Sequence, residues 1–301
     1  MDKLILGDNQ FFGVNHKSES KSQQQLETFK SPEDIFNTLR IANDVGVKSF
    51  MFTTHDKLEP VFDLIKKNKN EFRDFKLIPC MPYAHKYADA MATEGVVGSV
   101  KKYMPRNIFK VGYRSLVSAL TKDPVPIMKL LVDTEMRMMR GFDIEHVFLQ
   151  NIVTDLVIGL GMQDVLVEFA EYAKRQYGAK AGFITLNQPL TEQKLIESGI
   201  SKPLLCSSIN KIGFRMNPSQ PQVETCLTKK RSDNIAMSIF ASGAINPTEA
   251  IEYIKNLEGV QSVLFGASSR RSIQSTYELM ARQVCFYPLS FLSFFASATL
   301  R

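Results

Sequence analysis

The side chains of this 301-residue chain that could handle protons or attack a carbonyl mostly follow short apolar runs. Lys211 comes a few residues after PLLC, His55 after KSFMF, His85 after KLIP, and Gln150 closes HVFL. A lysine enclosed in an apolar site can react as a neutral amine, and histidine exchanges protons near neutral pH. We therefore expect Lys211, His55, His85 and Gln150 to form a catalytic set. The amides of Asn9, Gln10, Asn187 and Asn210 occupy equivalent places and suit the hydroxyl, carbonyl or phosphate oxygens of a ligand. The plainer alternative for each is a loop lysine in solvent, a satisfied histidine, or an amide capping a helix. His16 also follows a strand, but no HxH or HExxH spacing ties two histidines together, so a divalent metal is the weaker reading.

Two later segments, ASGAINP and FGASSRRS, place small residues where an apolar run turns into a helix. Ser242 and Gly243 in the first, and Gly266, Ser268, Ser269 and Arg270 in the second, can offer backbone N–H groups and one cation to a phosphate. The phosphate would belong to a substrate or to a nucleotide cofactor.

The elements that must hold these groups are legible as a rhythm. Apolar, β-rich runs fall at 4–6, 48–52, 76–79, 146–149, 182–185, 203–206, 235–239 and 262–265, with amphipathic segments such as 32–43, 58–67, 163–176, 191–197, 247–256 and 271–281 between them. Eight βα repeats predict a single (β/α)8 TIM barrel over 1–283, with functional groups at the carboxyl ends of the strands and a loose apolar extension at 284–301. Ser31 before Pro32 predicts a helix start. Two segments break the rhythm: the polar stretch GVNHKSESKSQQQLETFKS after the first strand, and about sixty residues after the third, where a lone helix needs far fewer. Both should lie on the functional face as a lid. Met128, Met136 and Met139 in the second have the spacing of core contacts on a helix.

A formal charge of +6 and a pI near 9.0 leave room for a nucleic-acid or membrane-surface role, but the basic residues alternate with acidic ones along helices. A small anionic metabolite is the expected partner, with neither nucleic acid nor membrane. Cys80, Cys206, Cys226 and Cys285 form no CxxC pair, and MDKLILGDNQ lacks a secretory pattern, so a cytoplasmic protein is expected.

The last turn, SVLFGASSRRSIQSTYELM, resembles that of the aldo/keto reductase superfamily, where a strand ending in a G-A-S/R-x turn runs into the helix that grips the phosphate of NADP. The spacing of runs from Val147 to Met280 is similar to the second half of that barrel. The resemblance implies NADP as cofactor, with Gly266 to Arg270 at its phosphate and Asn187 at its carboxamide. The first half departs from the family: its catalytic aspartate falls near Thr53, its lysine near Cys80 and its histidine on Gln150, and HDKLEPV lacks its tyrosine. Without that proton donor, the expectation is a lyase or aldolase acting on a small carbonyl metabolite, phosphorylated, with Lys211 as amine or carbonyl polariser and His55 or His85 moving protons. An NADP-dependent reductase with altered catalytic residues is the alternative, and a non-catalytic ligand-binding barrel the third.

Overall fold

The computed structural model describes residues 1–14, 19–83 and 123–282. His16, His85 and the extension at 284–301 lie outside the described residues. Eight strands, β1 (Leu4–Leu6), β2 (Ser49–Thr53), β3 (Lys76–Met81), β4 (His146–Leu149), β5 (Lys180–Thr185), β6 (Leu204–Ser208), β7 (Asp233–Met237) and β8 (Val260–Phe265), pair in parallel in chain order. β8 pairs back to β1 through Leu4 with Val263, Ile5 with Leu264 and Leu6 with Phe265, closing the barrel.

Side chains alternate across a strand, and the barrel separates the two sets cleanly. Ile5, Met51, Ile78, Cys80, Phe148, Leu204, Cys206 and Ile235 form one buried cluster, with Ile184, Met237 and Leu264 packed against it. Every strand contributes, so this cluster is the filled barrel interior. Gly182 faces the same space, and a Cβ there would stand 2.3 Å from the Phe148 ring, so the missing side chain makes room for the phenyl. The opposite set joins the helices in a larger cluster. The helix Pro32–Val45, for example, buries Ile35, Phe36, Leu39 and Ala42 on one stripe. Its start is held by the expected capping box, with Ser31 and Asp34 bonded reciprocally and Pro32 in the first turn.

Several element limits differ from the sequence reading for identifiable reasons. β3 continues past Pro79 to Met81 because the carbonyls of Cys80 and Met81 still accept from Thr54 N–H at 3.3 Å and Gln150 N–H at 3.0 Å. β6 continues through two serines because each finds a partner, Ser207 on Gln188 Oε1 at 2.7 Å and Ser208 on Ser238 Oγ at 3.3 Å. The polar segment after β1 holds a helix, Glu19–Thr28, whose one apolar residue, Leu26, left no periodic signal. Before β4, the helix Val125–Glu135 and the 3-10 turn Met136–Met139 bury Met128, Met136 and Met139, as their spacing predicts. Among the described residues, no helix is long and apolar enough to cross a membrane.

Candidate functional site

Extending the inward alternation one step toward the carboxyl ends reaches Gly7, Thr53, Gln150, Ser208 and Gly266, which ring the open mouth of the barrel. Asp8 follows Gly7 directly and is buried. Its carboxylate Oδ2 accepts from the Thr53 backbone N–H at 2.7 Å. The Thr53 hydroxyl in turn accepts from Gln150 Nε2 at 3.4 Å, so a polar chain crosses the mouth from β1 through β2 to β4. Burial pushes the Asp8 carboxyl from its ordinary 3.8 up to about 6, against the hydrogen bonds from Thr53, which pull it down. Cys80, the last inward residue of β3, has its thiol pushed well above the usual range by burial first, then by the charge of Asp8 and by Cys206. It is a neutral thiol at physiological pH.

Gln10 lies beside this chain, in the short 3-10 helix Asn9–Phe12. It is 4% exposed, its Nε2 donates to Gly7 O at 2.6 Å, and its Oε1 is buried with no hydrogen-bond partner. A Cβ on Gly266 would come within 2.9 Å of that oxygen, so the glycine of the last turn leaves the space into which Oε1 points. Next to the β8 turn, the loop after β7 is strained: Ser238, Ala241 and Ser242 have φ of 57°, 46° and 58°, in the left-handed region.

An aromatic rim stands over the β1–β2 side. The His55 ring stacks on Phe12 at 4.6 Å and lies 5.3 Å from the Tyr83 ring. Its Nδ1 accepts from Lys57 N–H at 3.0 Å, which caps the 3-10 turn Asp56–Leu58 and places the proton of the neutral ring on Nε2. Buried Glu135 anchors the start of the loop after β3, accepting from Tyr83 N–H at 3.0 Å and from the Thr54 hydroxyl.

The other expected site residues are dispersed. The role given to Lys211 needs an enclosed amine, but its side chain is 50% exposed and paired with Glu249 at 2.9 Å, a surface ion pair at the edge of the face. Asn210 is buried, and both ends of its amide bond the Phe214 backbone at 2.8 Å, holding a loop together. Asn187 caps the helix Gln188–Glu197 by accepting from Leu190 N–H at 3.3 Å. It lines an off-axis cleft of about 470 Å³ with Asp155, Leu186 and Asn217. Asn9 is exposed at the rim. Ser242 and Gly243 form the 3-10 turn Ala241–Gly243. Ser269 caps the helix Arg270–Ala281, while Arg270 pairs with Asp44 at 3.2 Å. Of the expected residues, Gln10, Gln150 and Gly266 meet at the mouth, with His55 on its rim. Asp8 and Thr53 join them there. The signal for Asp8 was an acidic residue between LILG and an aromatic pair, directly after a strand. Among the described residues, no group of three or more His, Cys, Asp or Glu side chains could hold a metal ion.

No protein-family model matches the chain, and no curated protein matches it in sequence. Its backbone is nevertheless similar to solved aldo-keto reductases. A thermostable aldo-keto reductase bound to the inhibitor epalrestat matches with a TM-score of 0.57 at 11% identity, over 94% of this chain and 91% of that one. An aldo-keto reductase of the silkworm Bombyx mori matches at 0.54 and 12% identity, over 93% and 80%. One from Brucella melitensis matches at 0.51 and 12% identity, over 84% of each chain. At such identities the likeness is one of fold, and it extends to the first half of the barrel, beyond the stretch from Val147 to Met280.

Proposed function

We propose that the barrel mouth is an oxidoreductase site interconverting a carbonyl compound and its alcohol, with a nicotinamide dinucleotide phosphate as the hydride carrier. The observation that carries this reading is the buried Asp8–Thr53–Gln150 chain at the strand ends, in a barrel whose backbone follows aldo-keto reductases over most of its length. The lyase expectation rested on Lys211 as an enclosed amine, and its exposed ion pair lends that no support.

The residues fit such a cofactor at the last turn. The capping box at Ser269 takes the Ser269 and Ser272 amides, which leaves those of Arg270 and Arg271 without an acceptor within the helix, and the two exposed arginines add positive charge beside them. Gly266 leaves open the space beside Gln10 Oε1, an unpartnered acceptor suited to a hydroxyl or amide N–H. Gly266, Ser268, Arg270 and Arg271 would hold the phosphate end, with Asn187 at the rim on the opposite side. When bound, the cofactor supplies hydride. The chain binds, orients the carbonyl and excludes water, the last through the His55, Phe12 and Tyr83 rings.

The test is whether NADPH raises the melting temperature of the full-length protein and is consumed in the presence of benzaldehyde, glyceraldehyde or a quinone. Binding at micromolar concentration with carbonyl-dependent oxidation is expected. A protein that neither binds NADPH nor oxidises it with any of these would overturn the reading.

A further inference from the structure

A carbonyl reduction needs an acid at the oxygen, and inside the rim formed by His55 and Tyr83 the described mouth offers few groups for that work. Cys80 keeps its proton because its thiol is pushed well above the usual range. Thr53 and Gln150 do not titrate. Lys211 is out at the surface with Glu249. We propose that Asp8 is the proton donor and acceptor of this site, a role that rests on the oxidoreductase reading above.

The geometry has three parts. First, Asp8 follows Gly7 at the carboxyl end of β1, and its charge acts on the inward-facing Cys80 thiol, which places its carboxyl near the top of the filled interior. Second, one oxygen is held by the Thr53 backbone N–H at 2.7 Å, which anchors that end of the carboxyl. Third, Gln150 bonds the Thr53 hydroxyl at 3.4 Å, which ties the strand-four amide to the same chain and places a second neutral donor beside it. Neutral donors orient a carboxyl without locking it in the charged form as an arginine or lysine would.

The titratable surroundings agree. From β3 the carboxyl faces Cys80, with Cys206 of β6 beyond it. β2 presents Thr53 and β8 leads into Gly266, neither of which titrates. On the loop after β2, His55 Nδ1 is bonded to Lys57 N–H, and Lys57 Nζ donates to the carbonyl of Phe29 at 2.7 Å, outside the mouth. Burial is the largest influence on Asp8, and the resulting value of about 6 leaves a usable fraction protonated near neutrality. In the reducing direction a bound reduced nicotinamide would supply hydride to the carbonyl carbon. The C=O π pair takes the Asp8 proton to form the O–H bond, and the carboxylate left behind is reprotonated from water. Oxidation runs the same proton in reverse.

Two measurements on the full-length chain test this. The first follows wild-type protein labelled with ¹³C at the aspartate carboxyls through a pH titration, with Asp8→Asn used to assign the resonance. The second compares wild type and Asp8→Asn for NADPH binding and for NADPH oxidation with the same three carbonyls across pH. We expect an Asp8 resonance titrating near 6, a loss of about 100-fold or more in kcat/KM, loss of the matching limb of the pH profile, and unchanged NADPH affinity. An Asp8→Asn enzyme within about threefold of an active wild type, with the same pH profile, would sink the role. So would a wild-type titration in which no aspartate carboxyl has a midpoint near 6, a reading that does not need the variant to fold. A wild type inactive with every carbonyl instead removes the oxidoreductase reading and this role with it, so the two failures are distinct.

Discussion

A carboxylate enclosed at the top of a barrel has lost water without gaining a cation, and Asp8 is in that position: its partners are the N–H and side chain of Thr53 and its own backbone. Its carboxyl rises from 3.8 to about 6, so the folded protein binds the proton more tightly than the unfolded chain does. The sign follows by linkage. Below about pH 4 Asp8 is protonated in both states and costs nothing, while above about pH 6 it is charged in both and the fold carries the full penalty. The difference between 3.8 and about 6 corresponds to about 3 kcal/mol. Asp8→Asn should therefore stabilise the protein at pH 7.5 by up to about 3 kcal/mol in urea unfolding, and the gain should vanish as the pH is lowered to about 4. A variant less stable than wild type at pH 7.5 would mean that the carboxylate makes bonds the amide cannot replace. Keeping such a residue at a cost in stability is the pattern of a functional site.

At the scale of elements, the closeness of Gly182 and Phe148 connects sequence to packing most directly. β4 and β5 pair Phe148 with Gly182, both facing the interior, and the phenyl occupies the volume a side chain on residue 182 would need. Gly182→Ala would drive a methyl to within 2.3 Å of a ring already enclosed on all sides. We expect a loss of about 1–3 kcal/mol, partly recovered in the double variant with Phe148→Leu, measured by urea unfolding. Additive losses would mean that the strain is elsewhere. Where apolar periodicity was strong, as in β1, in β4 and in the helix Pro247–Asn256, the element limits could be read directly from residue types. Where they could not, long-range partners decided: Ser207 and Ser208 look like loop residues until Gln188 and Ser238 supply their bonds, and the helix Glu19–Thr28 has too few apolar residues to show a period.

At the scale of the molecule, barrel closure, which the eight βα repeats predict, brings Asp8, Thr53 and Gln150 together from positions far apart in the chain, and which strand-end residues then meet is what the sequence conveyed least. Gln150 and Gln10 were recognisable as strand-end amides. Asp8 was visible as a residue, but burial gives it its chemistry, and burial depends on the whole ring of strands. Lys211 shows the converse, since its place after β6 says nothing of the distance to the axis, and its amine lies paired with Glu249 at the surface. The same view bears on ligand capture. The chain carries a net charge of +6, and the last turn ends in Arg270 and Arg271, both exposed. Arg270 is held by Asp44 at 3.2 Å, a surface pair worth little to the fold, so it can exchange that partner for a phosphate at small cost. Arg270→Ala should leave the melting temperature of the free protein almost unchanged. It should weaken NADPH binding about tenfold at low ionic strength and by less than about threefold at about 0.5 M salt, where exposed charges are screened beyond a few ångströms. Fluorescence titration of NADPH at the two salt concentrations reads this directly. An equal loss at both would place the effect in the shape of the turn, and no loss at either would move the phosphate away from the helix Arg270–Ala281.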